Sequence, residues 1–160
     1  MKKTDLRLYN VMFPVWMILW FPSWLWLLLI PANYLLDALV LRWSLTGYGD
    51  RNRFCRKNAW KICLAGFLSD FAGALVLFGV YAVSENPLSY ALAYAPFSNL
   101  AAFCVTLFSL ALSGVCIYNL DAWLLKRAGL EQRLARHSAL SLAVLTAPYL
   151  YFFPSGILYR

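Results

Sequence analysis

The chain has 160 residues, of which 62% are hydrophobic and 13% are charged, and its formal net charge is +7. Globular proteins average about 45–50% apolar and about 25% charged residues, so this composition excludes an ordinary soluble domain. The Lys and Arg residues lie in short segments between apolar stretches and not on one basic face, which argues against nucleic-acid binding. We therefore expect a multi-pass protein of the cytoplasmic (inner or plasma) membrane, with membrane lipids as partners.

The apolar stretches predict an all-α, single-domain transmembrane helical bundle over residues 1–160. A helix rises about 1.5 Å per residue, so about 20 apolar residues cross a hydrocarbon core of about 30 Å. By this measure we predict four full spans, at about residues 24–41, 62–83, 99–123 and 138–153. A short hydrophobic helix is also predicted at about 8–21, ending at the break that Pro22 causes.

The positions of the basic residues predict the orientation of the bundle. By the positive-inside rule, two basic loops at 42–61 and 124–137 face the cytoplasm, where they meet lipid headgroups. The connection 84–98 has no Lys or Arg and is predicted to be external, as is the C-terminus. The basic residues of the two loops are Arg42, Arg51, Arg53, Arg56, Lys57, Lys61, Lys126, Arg127, Arg133 and Arg136.

The N-terminal helix allows two arrangements. Lys2, Lys3 and Arg7 favour a cytoplasmic N-terminus, which requires residues 8–21 to cross the membrane as a short, tilted helix. Fourteen residues reach only about 21 Å, however. A helix lying on the outer surface is therefore the alternative.

Three acidic residues are predicted to lie inside the membrane: Asp37, Asp70 and Asp121. A charged side chain near the bilayer centre costs at least about 2.5 kcal/mol, and such residues usually face the bundle interior. Each lies about 7–13 Å from the inner boundary on a different predicted helix, so the three can meet in the cytoplasmic half. Asn33 shares a helical face with Asp37 and is a fourth candidate.

Two interpretations of this acidic group stay open. The functional one is a cation site, a proton-coupled carboxylate or a ligand set for Mg²⁺ or Mn²⁺, because hard cations take oxygen ligands. The structural one, which is the more common arrangement, pairs Asp37 and Asp121 with cations such as Arg42 and Lys126. It leaves Asp70 neutral or hydrogen-bonded. Asp70 has no basic residue within two turns of its own helix, so it is the strongest functional candidate.

The segment Thr46-Gly47-Tyr48-Gly49-Asp50 resembles the T-V-G-Y-G-D selectivity filter of potassium channels. In that family, stacked carbonyl rings replace the hydration shell of the ion. This chain lacks the valine, which removes one ring. The charge rule also places the segment on the cytoplasmic side, whereas the family's filter opens outward. A glycine-rich turn is therefore the preferred interpretation.

The other polar motifs indicate packing. Ser109, Ser113 and Cys116 fall on one face of the third full span, and small residues at this spacing let helices approach closely. We expect this contact within the bundle, with a seam between two copies as the alternative. His137 is the single histidine, so a zinc site has too few ligands. Packing thiols are expected for all four cysteines, Cys55, Cys63, Cys104 and Cys116.

The function that these features favour is non-enzymatic. We expect a small membrane subunit of a larger complex, or a homo-oligomer, with a buried polar face formed by Asn33, Asp37 and Asp70. The first alternative is an ion or small-solute transporter or channel that uses Asp70 and Asp37. The second is a metal-dependent enzyme acting on phospholipid headgroups, with Asp37, Asp70 and Asp121 as ligands. The sequence identifies no cofactor.

Overall fold

A computed structural model describes residues 14–20, 24 and 26–159, and the regular elements in these ranges are all helical. The all-α prediction is thus confirmed for this part of the chain. Short 3₁₀ helices occur at Val15–Leu19, Pro96–Ser98, Tyr149–Phe152 and Ser155–Tyr159. The α-helices are α1 (Trp26–Ser44), α2 (Arg51–Val83), α3 (Leu88–Tyr94), α4 (Leu100–Arg127) and α5 (Gln132–Leu145).

Three of these helices, α1, α2 and α4, are long and apolar enough to cross a membrane. They account for three of the four predicted spans and are compatible with a multi-pass membrane protein. The fourth full span, predicted at 138–153, is not confirmed. Helix α5 has 14 residues, about 21 Å, and ends at Leu145. Pro148 disfavours the helical conformation of the residue before it, and the chain continues in 3₁₀ turns.

Most of the two predicted basic loops is helical. Helix α2 begins at Arg51, so residues 45–50 connect it to α1, and the remaining residues of the predicted loop 42–61 belong to the two helices. Helix α4 likewise continues to Arg127, and residues 128–131 lead to α5. Arg and Lys have good helix propensity, which lets a basic segment extend a helix beyond the hydrocarbon core. The 33 residues of α2 measure about 50 Å, well above the core thickness.

The predicted N-terminal helix falls partly outside the described residues. Within them, Val15–Leu19 forms a five-residue 3₁₀ helix and not an α-helix. The Trp16 indole donates a hydrogen bond of 3.1 Å to the Leu92 carbonyl of α3, and Trp16 is buried. Trp20 packs against Phe71 and Phe78 of α2. This segment therefore lies along the second half of α2, at the end of the bundle that carries α3.

The connection 84–98, predicted as a loop, contains α3 and a 3₁₀ helix. The last described residues lie beside the end of α3. A Cβ atom built on Gly156 would lie 3.3 Å from the Tyr94 carbonyl oxygen at the end of α3. Because α5 starts beside the other end of α4, the chain after α5 runs along the bundle to the α3 end.

The segment Thr46-Gly47-Tyr48-Gly49-Asp50 forms an exposed turn between α1 and α2. Gly47 has φ +92°, a conformation that favours glycine. The Thr46 hydroxyl donates to the Trp43 carbonyl at 2.5 Å, which closes the turn onto the end of α1. This geometry agrees with the glycine-rich turn preferred from the sequence.

Helices α2 and α4 make a close contact at Gly73. A Cβ atom on Gly73 would lie 2.2 Å from the Ser113 hydroxyl and 2.7 Å from the Ser109 carbonyl oxygen. Ser109 and Ser113 are fully buried there. The small-residue face of α4 therefore makes a contact within the bundle, as expected from the sequence.

We predict that Gly73→Ala destabilises the protein by about 1–3 kcal/mol, because the added methyl group overlaps backbone as well as side-chain atoms of α4. The loss should appear as a lower midpoint of thermal unfolding in detergent. The matched control is Gly79→Ala in the same helix, where an added Cβ meets nothing within 4 Å. An equal effect of both substitutions would contradict the close contact at Gly73.

Candidate functional site

A cleft of about 540 Å³ lies between α1, α2, the 3₁₀ helix Val15–Leu19 and residues 145–154. Most of its lining is apolar or aromatic. Four polar groups stand out in this lining: Asn33 and Asp37 from α1, Asp70 from α2, and Thr146 just after α5. Among the described residues that line the cleft, none is Lys, Arg or His. The cleft is thus an apolar cavity with two carboxyl groups and no lining cation from the described residues.

Asp37 lies where α1, α2 and the end of α5 meet. Its side chain is 5% exposed and lies close to the Cys63 thiol and to the Thr146 hydroxyl, which donates to the Leu142 carbonyl at 2.9 Å. Gly66 faces it from α2, and a Cβ atom there would lie 3.7 Å from Asp37 Oδ2. Asp37 is therefore held by three elements. Its described polar contacts are neutral groups, and not Arg42 as the pairing alternative required.

Asp70 has a fixed backbone and an unpartnered carboxyl oxygen. The Tyr151 hydroxyl donates to its main-chain carbonyl and lies 3.5 Å from the Ser113 hydroxyl. Ser113 in turn donates to the Ser69 carbonyl at 3.0 Å. Asp70 is only 6% exposed, yet its Oδ1 is buried without a hydrogen-bond partner among the described residues. This oxygen belongs to a residue of the cleft wall and has unused capacity to accept a hydrogen bond.

Asp121 is buried in a different environment. It lies on the buried face of α4 between Ile117 and Leu125, and it is 1% exposed. Neither of its carboxyl oxygens has a hydrogen-bond partner in the described part of the chain, so the predicted pairing with Lys126 is not seen. Asp37 is close enough to interact electrostatically with both Asp121 and Asp70. The structure therefore brings the three acids near one another, but Asp121 does not line the cleft.

The acidic group does not provide a metal-ligand set. Within the ranges that the structure describes, no three His, Cys, Asp or Glu side chains are close enough to share a metal ion. The enzyme alternative required Asp37, Asp70 and Asp121 as common ligands, and that arrangement is not present.

The C-terminal part of the cleft wall was not anticipated. Thr146 and Tyr151 contact the two acids of the cleft, whereas the sequence predicted both within one span that Pro148 kinks. The available signal was Pro148, followed by aromatic residues at 149 and 151–153. A proline next to an aromatic run also fits a kinked helix, so the pattern alone does not reveal the contacts.

The basic residues gather at the end of the bundle away from α3. The ends of α1 and α4 and the starts of α2 and α5 meet in one buried cluster that includes Leu41, Cys55, Leu125 and Ala135. Arg127 lies 5.1 Å from the ring centre of Trp123. The ten basic residues of the two predicted cytoplasmic loops lie on helix turns at this end: Arg42, Arg51, Arg53, Arg56, Lys57, Lys61, Lys126, Arg127, Arg133 and Arg136.

No model of a protein family, no curated protein and no solved structure matches the chain significantly. The geometry of the cleft is therefore the basis for a functional proposal.

We predict that Tyr151→Phe lowers stability by about 0.5–1.5 kcal/mol, because it removes the buried hydroxyl that binds the Asp70 carbonyl and approaches Ser113. The midpoint of thermal unfolding in detergent measures the loss. Tyr149→Phe is the control, since its hydroxyl makes one exposed bond to the Val144 carbonyl. A larger loss for the control would refute the proposed role of the buried network.

Proposed function

We propose that the protein is a small-solute transporter of the membrane that binds an organic cation in the cleft, with Asp37 and Asp70 as the charged groups. The observation that carries this proposal is Asp70 in the wall of an apolar cavity that Asp37 also lines, with a buried Oδ1 that has no hydrogen-bond partner among the described residues. An ionisable residue within a membrane span is costly, and such residues mark substrate or ion pathways by default.

The lining favours an organic cation over a hydrated metal ion. Within the described residues, no three His, Cys, Asp or Glu side chains are close enough to share a metal ion, and most of the cleft wall is apolar. An ammonium group with an apolar body would pair with the carboxylates and bury its body against rings such as Trp16, Phe67 and Tyr151. Aromatic faces also attract cations. The cleft volume of about 540 Å³ falls within the usual range of about 300–1,000 Å³ for small-molecule sites.

The backbone of the cleft wall supports a transport role. Non-helical backbone at membrane depth is tolerated where it is buried in protein or lines a cavity, because its polar groups need partners. Residues 146–154 leave the α-helical conformation and line the cleft. In our proposal they complete a fourth, discontinuous crossing that begins with α5, and the break at Thr146 lies beside Asp37. Broken helices of this type form midplane binding sites in transporters.

A second candidate is the non-enzymatic subunit or homo-oligomer favoured by the sequence. The observation for it is the set of contacts that Asp37 makes with Thr146 and Cys63, which link α1, α2 and the end of α5. In this case the polar face orders helix packing and has no ligand. Substitution of Asp37 would then lower stability and change the assembly state of the protein in mild detergent.

We predict that the purified protein binds benzyltrimethylammonium and does not bind neopentylbenzene, its neutral isostere. Asp70→Asn and Asp37→Asn should each weaken binding of the cation at least about ten-fold, because each removes a buried negative charge next to the ligand. Isothermal titration calorimetry in detergent measures the affinities, and uptake of the labelled cation into proteoliposomes tests transport.

Asp121→Asn is the matched control, because it removes an equally buried acid that does not line the cleft. It should leave affinity within about two-fold of the original value, a difference below about 0.5 kcal/mol. Equal affinity for the cation and its neutral isostere would contradict the proposal, as would unchanged binding by a folded Asp70→Asn variant. Binding without uptake would remove the transport step and keep the cation site.

A further inference from the structure

A second surface on the α1–α2 pair is a groove that adjoins the proposed cleft and shares Leu19 and Phe67 with it. Its apolar part, of about 820 Å³, is lined by α1 residues from Trp26 to Tyr34 and by α2 residues from Trp60 to Phe71. Its second part, of about 450 Å³, is lined by α1 residues from Tyr34 to Arg42 and by α2 residues from Asn52 to Ala59.

The two parts form one continuous surface. Tyr34 lines both, and on α2 the lining passes directly from Ala59 to Trp60. On each helix the lining positions recur every three or four residues, which is the spacing of a single helix face. From Arg42 to Trp26 the groove is about 24 Å long, and one leaflet of the hydrocarbon core is about 15 Å thick. The groove therefore extends from the basic end of the bundle past the middle of a bilayer.

The chemistry of the groove changes along its length. At the basic end, Arg42 of α1 and Arg56 of α2 are both exposed, and Asn52 lies one turn before Arg56 on α2. Among the described residues of this part, none is Asp or Glu. Beyond Tyr34, the described lining is apolar or aromatic apart from the Cys63 thiol. One end thus suits a phosphate group, and the rest suits hydrocarbon.

We propose that this groove binds one acidic phospholipid, with its phosphate between Arg42 and Arg56 and an acyl chain along the α1–α2 seam. Arginine binds phosphate through a planar, forked set of donors, and two arginines can approach it from two sides. A free phosphate ion would use the basic end alone. A lipid also covers the apolar length, and the basic end is where the charge rule predicts the anionic leaflet.

The test is native mass spectrometry of the detergent-purified protein with phosphatidylglycerol and phosphatidylcholine of identical acyl chains. The protein should retain one phosphatidylglycerol in preference to phosphatidylcholine. Arg42→Gln and Arg56→Gln should each reduce that preference about five-fold, and the double variant should abolish it. Arg53→Gln is the matched control, because Arg53 lies on the same helix end and outside this groove.

A second variant tests the position of the acyl chain without changing charge. Ala38 lines the groove and is half-buried, so Ala38→Phe fills it and should lower lipid retention while the protein remains folded. Three outcomes would overturn the proposal. They are an Arg53→Gln loss as large as that of Arg42→Gln, full lipid retention by Ala38→Phe, and displacement of the lipid by millimolar inorganic phosphate.

Discussion

The close approach of α2 and α4 at Gly73 is the contact on which the rest of the bundle depends. Between helices in lipid there is no hydrophobic driving force, so association depends on packing of small residues and on interhelical hydrogen bonds. Gly73 and Ser113 supply both, since Ser113 fills the space above the glycine and also donates to the Ser69 carbonyl. The Tyr151 hydroxyl reaches the same point. The α2–α4 crossing therefore also positions the C-terminal segment, which is one wall of the cleft.

The backbone and the side chain of Asp70 lie in different environments. The main-chain carbonyl of Asp70 accepts the Tyr151 hydroxyl as an extra partner and is held in place. Asp70 also lines the apolar cavity, and one buried oxygen of its carboxyl group has no hydrogen-bond partner among the described residues. A buried polar group without a partner is costly, so the packing of α2, α4 and Tyr151 must offset that cost. A positively charged ligand in the cleft would stabilise the ionised form of this carboxyl group.

Hydropathy and helical spacing predict much of this structure, because they record which residues avoid water and which share a face. They locate the apolar parts of α1, α2 and α4 and the inward positions of Asp37 and Asp70. They do not locate the start of α2 at Arg51, because the positive-inside rule reads charge and contains no information on backbone conformation. Near Pro148 a helix can either kink or end. Contacts of this segment with distant helices determine that α5 ends. The role of Tyr151 likewise depends on a partner 81 residues away.

Two different faces of helix α1 line the cleft and the groove, and the contact of α1 with α2 lies between them. Asn33 and Asp37 face the cleft, whereas Tyr34 and its neighbours face the groove. The two surfaces meet at Phe67 of α2, which lines both. An occupant of the groove and an occupant of the cleft would thus contact the same pair of helices. Coupling between two such sites is reciprocal. Its size depends on how much each occupant favours one separation of α1 and α2 over another. Helix α1 packs on the bundle through few buried residues, Asp37, Leu41 and Ser44 among those described, so a shift of α1 would change the shape of both surfaces.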